Sequence, residues 1–341
     1  MKQVVLVTGG AGYIGSHTVV ELQNNGYDVV IVDNFSNSQP SVVENIAKIT
    51  GITPKFYNFD LSEEKACSDF FHQEHIDAII HFAAYKYVGE SVEQPLRYYK
   101  NNLYSTLNIL TAMKEHNIKR LVFSSSCTVY GTPDVLPVVE TTPVKPATCP
   151  YGNTKQIIEE ILRDVCNEEQ EYKVIALRYF NPIGAHPSAL IGELPNGVPQ
   201  NLIPYITQTA AGIREYLQVF GGDYNTPDGT CLRDYIHVVD LAKAHVSALN
   251  RMQDQSMEQN YEVFNIGTGK PSSVLDIIHA FEKVTGKALP YKIVSRRTGD
   301  VEKVWADTTK ANQIMGWKAQ LNLEEMLASA WNWEMKLKHA K

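Results

Sequence analysis

A β-branched apolar run, Val4-Val5-Leu6-Val7-Thr8, breaks into Gly9, Gly10, Gly12 and Gly15, and a helical pattern begins at once. The spacing Gly10-x-Gly12-x-x-Gly15 satisfies the dinucleotide-binding fingerprint, and Gly9 adds a further glycine at the turn. Such a turn needs unusual backbone angles and must let a pyrophosphate approach the main chain closely. The helix behind it offers unpaired N–H groups and a positive dipole end to the phosphates. A second apolar run, Asp28-Val29-Val30-Ile31-Val32-Asp33, ends in an acid about 20 residues downstream. Asp33 is placed to accept hydrogen bonds from an adenosine ribose and to repel a 2′-phosphate, which favours NAD over NADP.

A second constellation carries proton chemistry. Tyr151 and Lys155 stand four residues apart, so on a helix they share one face, and Ser126 lies upstream at the end of an apolar run. A tyrosine with its reference pKa of about 10 is a poor base at neutral pH. A neighbouring ammonium favours the phenolate, and a cationic cofactor ring would favour it further. The pair is therefore suited to take a proton from a sugar hydroxyl.

The bulk numbers narrow the setting. The chain has 341 residues, 44% apolar and 20% charged, enough for a large core and one or two domains. Its net charge of −7 argues against nucleic acid or an anionic membrane as partner. Five cysteines without C-x-x-C spacing suit a reducing compartment better than a disulfide framework or a zinc site. The N-terminus reads as a strand rather than a signal peptide, and no apolar stretch reaches membrane-spanning length. A cytoplasmic protein with no metal is expected.

Strands are predicted at 4–8, 28–33, 78–82, 120–125 and 173–178, with helices near 13–25, 62–73, 95–116 and 151–169. Alternation of this kind predicts an α/β fold with a doubly wound parallel sheet, its ligands at the carboxyl ends of the strands. From Asn181 the texture turns rich in proline and glycine, and a strand and helix return near 235–266. The expected division is a NAD-binding domain over 1–180, joined by the returning segment. A smaller, partly discontinuous second domain takes 181–341, with the substrate in the cleft between.

The motifs Thr8–Gly15, Ser124–Ser126 and Tyr151-x-x-x-Lys155 resemble those of the extended short-chain dehydrogenase/reductase family. Asp33-Asn34, His81–Ala84, Val88–Ser91, Phe123–Gly131, Arg178–Pro187, Asn201-Leu202, Asp228–His237 and Arg297–Asp300 narrow the likeness to its sugar-nucleotide epimerases. The resemblance implies reversible inversion at C4 of UDP-glucose and UDP-galactose on a tightly held NAD, through a 4-keto sugar that turns over in the pocket. It implies Tyr151 as base and then acid, Lys155 lowering the tyrosine pKa and holding the nicotinamide ribose, and Ser126 bonding the reacting oxygen. For the cofactor it implies Gly9, Gly12, Tyr13, Ile14 and Gly15 at the turn, Asp33, Asn34 and Asn37 at the adenosine, and Asp60 and Leu61 at the adenine. Phe82, Ala83, Lys86, Asn101, Ser124 and Phe180 complete that set.

For the UDP-hexose it implies Asn181, Asn201, Leu202, Arg233 and Arg297 about the diphosphate, Asp300 at the uridine ribose and Phe220 beside the uracil. Val304, aligned with a pocket residue of variable size, would leave room for an N-acetyl group, so UDP-GlcNAc and UDP-GalNAc are expected substrates too. Apolar surface on the helices near 95–116 and 151–169 implies a homodimer. A dehydratase of the same fold is disfavoured because Cys127 and Thr128, which follow Ser126, supply no carboxylic acid for elimination. A silent NAD-binding scaffold is disfavoured because both Tyr151 and Lys155 are kept.

Overall fold

Runs of Val, Ile and Leu without alternation suit strands covered on both faces. The computed structural model describes residues 2–254, 256–297 and 300–339, and its first half runs strand by helix. The order opens β1 (Val4–Thr8), α1 (Tyr13–Asn24), β2 (Asp28–Val32), α2 (Ser41–Thr50), β3 (Lys55–Tyr57) and α3 (Glu64–Gln73). It continues β4 (Ala78–His81), α4 (Val88–Glu93), α5 (Pro95–Glu115), β5 (Arg120–Ser126), α6 (Pro150–Glu168) and β6 (Lys173–Tyr179). The second half holds β7 (Asn181–Ile183), α7 (Leu202–Ala210), β8 (Leu217–Phe220), β9 (Leu232–His237), α8 (Val238–Gln253) and β10 (Tyr261–Ile266). It closes with β11 (Pro271–Ser273), α9 (Val274–Thr285), β12 (Tyr291–Val294), β13 (Lys303–Val304), α10 (Thr309–Gln313) and α11 (Leu323–His339).

Seven parallel strands form the main sheet, in the order β10-β6-β5-β4-β1-β2-β3. Strand side chains alternate between its two faces. Val5, Val7, Ile31, Ile80 and Val122 pack under α1, α2 and α8, whereas Leu6, Val30, Ile79, Leu121 and Phe123 pack under α3, α5 and α6. The order reverses between β1 and β4, and the crevice outside the strand ends at such a reversal is where ligands of this architecture bind. Of the returning segment near 235–266, α8 and β10 join this layer. Strand β9 does not. It pairs instead with β7, β11 and β13 in a second sheet.

Strands β8 and β12 pair separately, and α7, α9 and α11 close a core around Ile206, Ile277, Phe281 and Leu327. Helix α2 and the short β3 were not delimited from the sequence, and α4 was missed. Two buried ion pairs tie strands to helices: Arg178 of β6 grips Glu159 of α6, and Arg251 of α8 grips Glu262 of β10. Removing one partner of such a pair leaves a buried charge and costs about 3–5 kcal/mol.

Candidate active site

The glycine turn is closed by sterics. Gly9 has φ +68° and Gly12 N–H donates to its carbonyl at 3.0 Å. A Cβ on Gly15 would stand 2.2 Å from the same carbonyl oxygen, so only glycine lets α1 start this close to β1. Asp33, at the end of β2, braces the turn by accepting from Ala11 N–H at 3.1 Å, from Phe35 N–H at 2.9 Å and from the Ser38 hydroxyl at 2.9 Å. Burial pushes its carboxyl up, and these hydrogen bonds oppose the shift. Beyond it Asn34 donates to Asp60, whose other oxygen accepts from Ser62 N–H at 2.8 Å.

One cavity of about 1130 Å³ runs from this turn across the sheet's carboxyl edge to the second sheet. Its walls include Gly9, Gly12, Tyr13, Ile14, Gly15, Asp33, Asn34, Asn37, Asp60 and Leu61. Phe82, Ala83, Lys86, Asn101, Ser124, Tyr151 and Lys155 line its middle, while Asn181, Asn201, Leu202, Phe220, Arg233, Arg297 and Asp300 line the far end. Residues from strand ends far apart in sequence thus meet on one surface. The glycine cradle and the acid at the end of β2 fit a dinucleotide of the NAD type.

At the centre, Cys149 and Pro150 open α6, which puts Tyr151 and Lys155 one turn apart on its buried side. The Lys155 ammonium donates to the Ser124 carbonyl at 2.6 Å and lies 5.9 Å from the centre of the Tyr151 ring. Burial governs both groups. It drives the phenol well above its ordinary 10, with a hydrogen bond to Ser126 pulling the other way, and drives the ammonium down to about 7, with Glu159 opposing. Desolvation of the phenolate sets the direction of the Tyr151 shift.

Three sequence-derived residues do not line the cavity. Ser126 stands behind Tyr151 and accepts from Thr128 N–H at 3.2 Å and from the Thr128 hydroxyl at 3.0 Å. Phe180 and Val304 sit in a buried apolar cluster with Val129, Tyr130, Val138 and Ala306. Val304 is the register partner of Arg233 where β13 pairs with β9, so it stands beside the far end of the cavity.

At the far end, Arg233 donates to the carbonyls of Leu232 and Glu302 at 2.9 and 3.4 Å, which aims a guanidinium at the cavity without a carboxylate partner in those bonds. Its neighbour Asp234 is buried and accepts from Thr268, Gly269 and Ala306 N–H groups, fixing the strand that carries the arginine. Arg297 pairs with Asp300 at 2.8 Å and lies 5.6 Å from the Phe220 ring. Thr298 and Gly299, within the same motif, lie outside the described residues.

Tyr179 and Glu193 are among the members of the wall that sequence reasoning missed. Tyr179, at the end of β6, lines the cavity, and burial pushes its phenol far up. Glu193 receives hydrogen bonds from Lys86, at 3.5 Å, and from Asn201, so one carboxylate joins the cofactor loop to the start of α7. The strand-end rule marks Tyr179; no motif marks Glu193.

The model of the "NAD dependent epimerase/dehydratase family" matches residues 5–267, more than half of the chain. The chain belongs to that family. A UDP-glucose 4-epimerase of Dictyostelium discoideum is 52% identical over 97% of this chain and 95% of its own. Among solved structures of the family, the UDP-glucose 4-epimerase of Bifidobacterium longum in complex with NAD⁺ and UDP superposes with a TM-score of 0.95. It is 49% identical and covers 99% of this chain and 100% of its own. The UDP-Glc/GlcNAc 4-epimerase of Campylobacter jejuni superposes at 0.84, with 37% identity over 98% of this chain and 99% of its own.

Proposed function

We infer that the protein is an NAD-dependent UDP-glucose 4-epimerase that interconverts UDP-glucose and UDP-galactose. The observation that carries the reading is one cavity shared by the glycine turn, the Tyr151–Lys155 pair and Arg233. NAD, when bound, would supply the hydride chemistry at C4 of the hexose. The residues that would hold it are Gly9, Gly12, Tyr13, Ile14 and Gly15 about the pyrophosphate, and Asp33 and Asn34 at the adenosine. Lys86, Asn101 and Lys155 stand nearer the reacting end.

Tyr151 takes the proton of the 4-hydroxyl and later restores it, while Ser126 hydrogen-bonds the phenol from behind. Arg233 and Arg297 grip the diphosphate, since arginine's planar fork matches phosphate oxygens. Binding energy from the nucleotide, which does not react, can retain the 4-keto sugar while its hexose ring turns. The same reading divides the chain into a NAD-binding part, 1–180 with the returning segment, and a UDP-sugar-binding part.

The test is to incubate purified protein, with no NAD added, with UDP-galactose and separately with UDP-N-acetylgalactosamine, and to resolve products by anion exchange. Conversion of UDP-galactose to UDP-glucose is expected, with the cofactor carried through purification. No conversion even with NAD supplied would sink the assignment. Conversion of the acetylated substrate is a second expectation, supported by the Campylobacter neighbour named for both sugars.

A homodimer is also proposed. Leu96 is 82% exposed on α5, and Tyr104 and Leu107 of the same helix are exposed with it. Burying such a face against a second copy would remove it from water. Light scattering of the purified protein should give twice the chain mass; a monomer would refute the pairing. No described helix is long and apolar enough to cross a membrane. With all five cysteines free thiols, the cytoplasm is the proposed compartment.

A further inference from the structure

Helix α5 buries a row of polar side chains, Asn102, Ser105 and Thr106, beneath the floor of the cavity. A buried amide is costly unless each of its atoms finds a partner, and Asn102 finds four. Its Oδ1 accepts from Tyr85 N–H at 2.8 Å and from the Asn101 side chain at 2.9 Å. Its Nδ2 donates to the Tyr85 carbonyl at 3.1 Å and to the Thr154 hydroxyl at 3.1 Å. The Thr154 hydroxyl passes the link on by donating to the Tyr151 carbonyl at 2.7 Å.

A second arm leaves the same turn of α5. Thr106 donates to the Asn102 carbonyl at 2.9 Å, which leaves its oxygen to accept from His81 Nε2 at 3.1 Å. His81 Nδ1 then accepts from the Thr8 hydroxyl at 2.7 Å, and Thr8 accepts from Ala83 N–H at 3.3 Å. Only one tautomer satisfies every link: Nε2 protonated, the ring neutral. Burial, which drives this imidazole down to about 3, keeps it so.

The cofactor loop after β4 is therefore held at Ala83 by one arm and at Tyr85 by the other. The second of these holds continues, through Thr154, to the backbone of the proton-transferring tyrosine. We propose that Asn102, acting through Thr154, is a positioning residue that fixes Tyr151 against the 83–87 loop and so sets the distance between base and cofactor. The proposal rests on the epimerase reading above. It predicts an effect on turnover and not on nucleotide grip, because Arg233, Arg297 and Asn201 stand at the other end of the cavity.

The experiment compares Thr154→Val, which keeps the shape and removes the hydroxyl, with Thr154→Ser, which keeps the hydroxyl. Displacing a reacting group by about an ångström can cost on the order of 100-fold. Thr154→Val is accordingly expected to lose about tenfold or more in kcat at nearly unchanged KM for UDP-galactose, and Thr154→Ser to restore kcat. If Thr154→Val is insoluble, Asn102→Asp is read in the same way, since it keeps the acceptor for Tyr85 N–H and loses both donors. A wild-type kcat in a variant without the link, whatever its melting temperature, overturns the proposal. So does a loss that the serine variant fails to restore. Tyr151→Phe is run beside them: if that variant turns over normally, it is the assignment of the base that has failed, and the positioning proposal falls with it.

Discussion

Replacing Tyr151 with phenylalanine should lower kcat for UDP-galactose by about 10²–10⁴-fold, the contribution of a positioned proton-transfer group. KM should change little, because the ring stays and only the hydroxyl that reaches the reacting oxygen is lost. The size of the effect follows from the electrostatics. A phenol with a pKa of about 10 is ionised to about one part in a thousand at pH 7, and burial here drives Tyr151 higher still. The phenolate is useful only where charge and hydrogen bonding offset that burial. Ser126 contributes a hydrogen bond, and Lys155 contributes a positive charge that burial itself weakens by lowering the ammonium to about 7. Steady-state rates for wild type and variant at equal melting temperature give the comparison, and a kcat within threefold of wild type would remove Tyr151 from the mechanism.

The same residues show what sequence can carry. The glycine turn was legible because sterics leave one residue type at Gly9 and Gly15, and the five longest sheet strands of the first half because their apolar runs have no alternation. Strand β3 was not delimited, since three residues, Lys55-Phe56-Tyr57, are too few for any period to register. Helix α2 could have been found: Val42, Ile46 and Ile49 recur at helical spacing and pack against the core. Motif matching named most of the cavity wall, because the wall is built of strand-end residues that topology brings together.

Val304 and Phe180 lie in a buried cluster beside the cavity, a placement that neighbours in space decide and no motif displays. The spacing of Tyr151 and Lys155 puts them on one helix face. How deeply each is buried, which decides the sign of the Tyr151 shift, is a property of the packed molecule. Glu193 and Asn102 belong to no short pattern, and only three-dimensional placement reveals that each joins two walls.

Acid should unfold the protein well above the ordinary carboxylate range. Four histidines are buried neutral. Desolvation drives His17 and His81 down to about 3 and His237 and His245 down to about 4. Carbonyls at His17 and His245 and the Glu325 charge near His237 favour a proton, but desolvation outweighs them. His17 meets the Tyr13 carbonyl with His186 and His237 nearby, and His81 lies between Thr8 and Thr106 with Lys155 near. His245 meets the Leu241 carbonyl between Phe82 and Tyr179, and His237 meets Ser329 and the N–H of Val239, with Lys243 opposing a charge and Glu325 favouring it. In the unfolded chain a histidine titrates near 6.5, so below that pH the unfolded state binds protons that the folded state refuses. The histidine contribution is therefore whole above about pH 6.5 and falls as pH drops toward 4, by about 1.4 kcal/mol per unit for each histidine. By pH 5 that is about 2 kcal/mol each, and four together reach the 5–15 kcal/mol that holds a typical domain. The buried carboxyls of Asp33 and Asp234, pushed up by desolvation, act in the opposite sense, because their folded forms take up protons more readily than the unfolded chain. Their effect enters as pH falls through their raised folded values, at the lower end of the window in which the histidines act. Thermal melts at constant ionic strength should therefore show Tm falling gently from pH 8 to 7, where buried Lys155 refuses a proton that the unfolded chain holds, and steeply from 6.5 to 5. A Tm unchanged between pH 7 and 5 would mean that the four imidazoles accept protons in place, and that the packing described around them is too loose to exclude a charge.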